Sequence, residues 1–378
     1  MLHILAGLAL FLFLLAGLTR ALLSPAAEIA YENRPAKRFP AFSVSAFLRG
    51  EYQDAAEAAV ADQLPGASYL KKLYNIFDAG LALPAVRSLT ADGGYVGFRD
   101  IFFFDDMMTV RPLSLASREA ALLESARIIN AWASESPDVP FYVYYIETDR
   151  DLDLGTGEKP GLYACLAGAL TIPADHVGRL RIDSYDDYRR FFLRTDHHWG
   201  AAGAWEGYRE ICALLGTDPL PLLGRFTRPA CYRGTRAAGV EGVAAEDFSV
   251  NLYDVPGLRF SVSGEAVPGY GAQERFVSGE PGTVSYGSVF GGDCGELQID
   301  TGREGENLLI LGDSYDNAIV IPLAAGYAST WCVDLRAYAA QTGHGFVMAD
   351  FLREKEIDRV LLVAGIDYFG ATLAQGGW

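Results

Sequence analysis

The sequence predicts an α/β fold built on a parallel central sheet, and three observations carry that reading. "NLLILGD" (307–313), "STWCVD" (329–334) and "DRVLLVAG" (358–365) are short apolar runs bounded by turn residues. Helical stretches alternate with them, an order that implies parallel neighbours joined by right-handed crossovers. Half of the 378 residues are apolar, enough for a large core.

The elements follow in chain order. "MLHILAGLALFLFLLAGLTRALL" is nearly uncharged from Met1 to Thr19 and unbroken from Ile4 to Leu18. Its length falls between a signal-peptide core and a membrane span of ~20 residues. Residues 1–23 therefore read as a signal sequence or membrane anchor, with a buried helix as the plain alternative. No small-x-small cleavage site is evident, which favours an uncleaved anchor and an extracytoplasmic protein. Residues 24–378 read as one folded domain. "AYENRPAKRFPAF" is a polar, Pro-broken lead-in, and Val44 to Ala82 is largely helical. "GYVGFRDIFFFDD" suggests short strands, Leu115 to Glu135 a helix capped by Ser114 or Ser117, and "FYVYYIE" (141–147) a buried strand. From about 217 to 305 helical periodicity gives way to Gly, Pro and short aromatic runs, a β-rich insertion. Beyond it, Ser314 to Ala325 and Phe346 to Glu356 read as helices between the three apolar strands.

Charge and cysteines narrow the function. A formal net charge of −17, with no basic patch, argues against nucleic acid or an anionic membrane surface as partner. Cys165, Cys212, Cys231, Cys294 and Cys332 are odd in number and widely spaced, with no C-x-x-C pair. They read as buried free thiols, with one or two disulfides of no fixed connectivity as the alternative in an exported chain, and they offer no zinc site.

Two stretches carry chemistry. "RTDHHWGAAGAWEGY" (194–208) holds two of the five histidines directly after an aspartate, and His is the side chain suited to proton transfer near neutrality. "LLILGDSYDNA" places Ser314 at a strand-to-helix junction, beside backbone N–H groups that can hold an oxyanion. There Ser314 is either a nucleophile or a plain N-cap. A serine hydroxyl needs a base to become a nucleophile. On an extended backbone residues i and i+2 face one side, so Asp196 reaches His198 while His197 points away. Asp plus two His also resembles a metal ligand set, but adjacent histidines on such a backbone diverge, so neither metal nor cofactor is expected.

On these residues the sequence resembles the DHHW family, related to the SGNH-hydrolase-like alginate O-acetyltransferases. The match rests on "TDHHW" (195–199) followed by "GAAGA", "GDSYDN" (312–317), "DLRAY" (334–338), "ENRPAKRFP" (32–40) and "ADQLPG" (61–66). The resemblance implies an SGNH-like α/β/α sandwich with Ser314 as nucleophile, His198 as general base and Asp196 as its orienter. It also implies the Ser314 N–H as an oxyanion donor. Arg336 either contributes to the oxyanion or acyl pocket or pairs with a surface acid. Tyr315 and Asn317 are neighbours of the nucleophile that touch substrate, and Trp199 is a sugar platform or a packing residue. The implied activity is that of an acetyltransferase or esterase, between which sequence does not choose. It would act on exported or cell-surface polysaccharide with an acyl donor, alongside a membrane-bound O-acyltransferase. The alternative from another class is a non-catalytic cell-envelope protein that binds or assembles glycan.

Overall fold

The apolar strands divide their side chains between two faces, and that division builds the molecule. The computed structural model describes residues 2–23, 28–29, 34–64, 94–98, 101–238, 240, 242–280 and 284–376, with a few single positions between 65 and 93. In chain order the central sheet comprises β1 (Phe141–Ile146), β2 (Val177–Leu180), β3 (Arg259–Val262), β4 (Glu265–Val267), β5 (Leu297–Asp300), β6 (Asn307–Gly312), β7 (Ser329–Val333) and β8 (Arg359–Ala364). Its spatial order is β4-β3-β5-β7-β6-β8-β1-β2. From β7 to β2 every pairing is parallel. The three strands expected to be parallel members of one sheet therefore are, with β6 between β7 and β8.

Side chains alternate across a strand. Tyr142, Tyr144, Leu308, Ile310, Leu361 and Val363 enter one core, which also takes Tyr208 and Ile211 of helix Ala201–Leu215. Phe141, Val143, Leu309, Leu311, Val360 and Leu362 enter the other, shared with helices Glu119–Glu135, Leu335–Thr342 and Met348–Glu354. Helices on both faces of a mostly parallel sheet make this an α/β/α sandwich. Both faces are covered, so these strands read as continuous apolar runs rather than alternating ones.

Local details differ from expectation. The helix after Ser114 starts at Glu119, behind a 3-10 turn Leu115–Ser117, and neither Ser114 nor Arg118 makes a side-chain cap bond. "GYVGFRDIFFFDD" forms strands Tyr95–Phe98 and Ile101–Phe104, which join Met107–Thr109 in an antiparallel meander. The stretch 217–305 is β-rich, but three of its strands, β3, β4 and β5, extend the central sheet with antiparallel pairing. Two more, Gly224–Tyr232 and Glu246–Leu252, form a hairpin of their own. Helices Gln273–Ser278 and Tyr286–Phe290 interrupt it, the second with a Ser285/Ser288 capping box.

The chain divides into two compact units. Leu89–Gly234 with Ala244–Trp378 carries the sandwich; Met1–Ser88 with Thr235–Val243 is the other. The smaller unit holds helices Leu2–Leu23, Val44–Leu48 and Glu51–Gln63. Most of the expected helical stretch beyond residue 64 lies outside the described residues. The N-terminal run does form a helix, with Leu8, Leu10, Phe11 and Leu12 exposed. Its side chains are described without a break only from Leu10 to Arg20. Among the described residues no helix is long and apolar enough to cross a membrane. The anchor expected at residues 1–23 therefore finds no support in the structure.

Candidate active site

β6 delivers the serine at its C-terminal end, where ligands of parallel α/β sheets gather. At Gly312 an added Cβ would lie 2.4 Å from Asp316 Oδ2 and 2.6 Å from the Val363 carbonyl oxygen. Only glycine lets the chain leave the strand here. Asp313 then shapes the turn: its Oδ1 accepts from the Tyr315 N–H (3.2 Å) and its carbonyl from the Asp316 N–H (3.0 Å). The helix expected from Ser314 to Ala325 is thereby split into a 3-10 turn, Asp316–Ala318, and helix Val320–Ala324. Ser314 is not a cap. No hydrogen bond among the described residues engages its N–H, which suits an oxyanion donor.

The histidine motif occupies a tight loop rather than an extended segment. Phe192 bridges Trp199, and the Leu193 N–H donates to the His198 carbonyl (3.1 Å). Inside the loop the N–H groups of His197 and His198 both donate to Asp196 Oδ1, at 2.6 and 3.2 Å, an Asx-type turn. His198 Nδ1 meets Asp196 Oδ1 at 2.8 Å, and its Nε2 meets Ser314 Oγ at 2.7 Å. The structure thus joins Asp196, His198 and Ser314 in one chain of hydrogen bonds. The expectation that His197 points away is corrected: its Nδ1 lies 3.0 Å from the same carboxylate oxygen. The compact turn brings both rings to Asp196, their centroids 3.9 Å apart, while the His197 side chain stays 40% exposed.

Residues from 217–305 complete this site, and sequence reasoning missed all of them. Tyr232 donates its hydroxyl to Asp196 Oδ2 (2.5 Å). Glu246 accepts from the N–H groups of Arg194 (2.7 Å) and Thr195 (2.6 Å) and fixes the loop. Gly234 lets the chain pass, since an added Cβ would lie 2.4 Å from Asp196 Cβ. Tyr286 stacks on the His198 ring, centroids 3.8 Å apart and planes 6° off parallel. Its hydroxyl accepts from Trp199 Nε1 (3.1 Å). Burial pushes the Asp196 carboxyl up, but hydrogen bonds from His197 and His198 outweigh burial and hold it far below the carboxylate range. Asp196 stays ionised, so the acid limb of any pH–rate profile reports the base.

That limb gives a test of Tyr232. Its hydroxyl draws charge from Asp196, and without it the carboxylate would hold an imidazolium more strongly. Tyr232→Phe is expected to move the acid limb of kcat/KM for p-nitrophenyl acetate upward by about half a pH unit or more, under ~1.4 kcal/mol per unit. A lowered Tm with an unmoved limb would reduce Tyr232 to a packing role.

The other expected site residues divide. Tyr315 is buried, donates to the His197 carbonyl (2.7 Å) and packs on the rings of His198 and Trp199. Asn317 is buried and lines a small cavity with Asp293 and Asp313. Trp199 is corrected as a sugar platform: it is 1% exposed. Its ring fills the space that Gly207 leaves on helix Ala201–Leu215, where an added Cβ would lie 2.6 Å from the indole. Arg336 pairs with two acids, one of them buried rather than at the surface. Its guanidinium binds Asp334 (Nη2 to Oδ2, 2.6 Å) and Asp293 (Nη2 to Oδ2, 2.8 Å), and burial of Asp334 at a helix N-cap explains the demand for that partner.

Asp196, His197 and His198 are also the one group among the described residues spaced for a metal ion, their ligand atoms within 4.8 Å of one another. Here Asp196 Oδ1 already accepts two backbone N–H groups and faces both Nδ1 atoms. That arrangement fits a shared hydrogen-bond acceptor better than a ligand set.

No protein-family model and no curated protein matches the chain. Among solved structures the fold is similar to PatB1 of Bacillus cereus with a sulfonyl adduct, at a TM-score of 0.58 and 16% identity over 76% of this chain and 100% of that one. PatB1 in a second structure gives 0.56 and 16%, over 74% and 98%. A DHHW family protein from Eubacterium siraeum gives 0.55 and 18%, over 74% and 95%. At such identities the likeness is one of fold, and the fold is the one that the DHHW resemblance of the sequence implied.

Proposed function

We propose that the chain is a serine-dependent acyl transferase or esterase, acetyl being the group expected, acting outside the cytoplasm on cell-surface or exported polysaccharide. The observation that carries this reading is the continuous link from Ser314 Oγ through His198 to Asp196, at 2.7 and 2.8 Å. A glycan-binding protein without chemistry has no need of that contact. Ser314 Oγ attacks the acyl carbonyl while His198 Nε2 takes its proton, and Asp196 steadies the imidazolium. The Ser314 N–H faces the developing oxyanion. His198 then returns the proton to the departing oxygen, leaving an acyl-Ser314 ester. A sugar hydroxyl or water, deprotonated by His198, resolves it; the first outcome is transfer, the second hydrolysis. The sulfonyl adduct recorded for PatB1 accords with a nucleophile on this fold. The apolar run Ile4 to Leu18 supports export, and a membrane-bound O-acyltransferase is the partner that the resemblance suggests for donor supply.

The test is incubation of the protein with p-nitrophenyl acetate, followed by intact mass and peptide mapping. The expected result is one acetyl group, on Ser314. Nitrophenol release without any acyl-protein in rapid-quench samples, or label on another residue, would overturn the reading.

A further inference from the structure

The electrostatics around Ser314 say which glycans the site can accept. A groove of about 670 Å³ lies between the β3–β4 hairpin and segment 291–294, walled by Val262, Ser263, Glu265, Tyr270, Asp293 and Gln341. Its charged lining is acidic throughout, with no Lys, Arg or His. Asp293 and Tyr270 tie the groove to the reaction centre, since both also line a small cavity with Asn317, three residues after the nucleophile, and Asp293 accepts from Arg336 Nη2 (2.8 Å). Asp313, Asp316 and Asp334 line that cavity too, at the end of β6. Arg336, the cation beside these carboxylates, is engaged by Asp334 and Asp293. The whole chain adds a net charge of −17. One wall is aromatic and fixed: the Tyr270 hydroxyl donates to the Gly292 carbonyl, and its ring lies where a Gly291 side chain would be.

We propose that this groove takes the glycan and that the glycan is uncharged, not a polyuronate. The proposal rests on the acyl-transfer reading above. A sugar ring can lay its C–H face on Tyr270 and offer hydroxyl donors to Asp293 and Glu265. A uronate would bring its carboxylate to those acids with no basic partner in the lining, a like-charge approach that the negative chain worsens.

The experiment compares two oligomer series of matched length and linkage, β-1,4-glucan and β-1,4-glucuronan, each as acyl acceptor for acetyl-protein and, in O-acetylated form, as acetyl donor. Either direction of acyl flow is thus read. At low ionic strength the neutral series is expected to react at least about tenfold faster in kcat/KM. Salt at about 0.5 M should narrow the gap, because the charges face solvent, and Glu265→Gln should narrow it at low salt. Equal or faster reaction of the uronate series overturns the proposal, as does a gap that neither salt nor Glu265→Gln changes, or reaction with neither series. Formation of acetyl-Ser314 from p-nitrophenyl acetate is scored separately, so a wrong glycan class is distinguishable from a wrong chemistry.

Discussion

Ser314→Ala and His198→Ala are each expected to remove acyl-enzyme formation down to background, and the double substitution to remove little more. Losses within one catalytic unit do not add, and in well-studied triads either change alone costs on the order of a million-fold in kcat. The geometry gives the reason here. Nε2 of His198 sits 2.7 Å from Ser314 Oγ, so the proton has one route, and either truncation closes it. Single-turnover mass spectrometry of the acetyl adduct, with Tm recorded for each variant, measures the effect directly. His197→Ala, by contrast, should keep activity within about tenfold: its ring meets Asp196, while the 2.7 Å contact with Ser314 Oγ is made by His198 Nε2. Additive losses from Ser314→Ala and His198→Ala, or a His197→Ala variant as dead as His198→Ala, would sink the assignment of the base.

Much of the scaffold behind that prediction is legible in the sequence because its strands are buried on both faces. Leu308 to Leu311 and Val360 to Ala364 are wholly buried and therefore stand out as apolar runs, and their parallel order follows from the helices between them. The serine and the pair Asp196–His198 were legible for a different reason: few residue types can do proton transfer, and they stand at a strand end and in a loop. The extended backbone that singles out His198 in the sequence is absent from the structure. The segment is a turn in which Asp196 caps two N–H groups, and His198 is distinguished by its contact with Ser314 across a sequence gap that no local spacing reveals. Tyr232, Glu246 and Tyr286 were not legible at all. They come from a stretch without periodicity, and their roles exist only once the hairpin folds against the loop. Helix Leu335–Thr342 was missed as well, although Asp334 caps it by accepting from the Arg336 N–H (2.9 Å). Asp before an apolar residue and Gly343 at the other end were its signals.

Asp196→Asn is expected to lower kcat by up to about ten-thousand-fold, the loss seen when a triad aspartate becomes an amide that also imposes the wrong His tautomer, while the fold survives. Asp196 is fully buried, so the replacement must satisfy the same donors. Asn Oδ1 can keep accepting from the two backbone N–H groups and from His198 Nδ1, now at Asp196 Oδ1. The Asn NH₂ then takes the place of Oδ2, where Tyr232 presents a hydroxyl, and a hydroxyl rotates to accept as readily as it donates. Hydrogen bonding is thus retained and only the charge is lost. The charge is what stabilises the imidazolium, so the sign of the pH effect is fixed: His198 becomes harder to protonate, and the acid limb of the residual rate moves to lower pH. That is opposite to the upward movement expected for Tyr232→Phe, where the carboxylate keeps its charge and loses a donor. The pair of variants separates electrostatic support of the base from mere packing, since a packing defect at either position lowers Tm and rate without moving the two limbs apart. Limbs that coincide with the parent's in both variants would mean that Asp196 does not act on His198 through its charge.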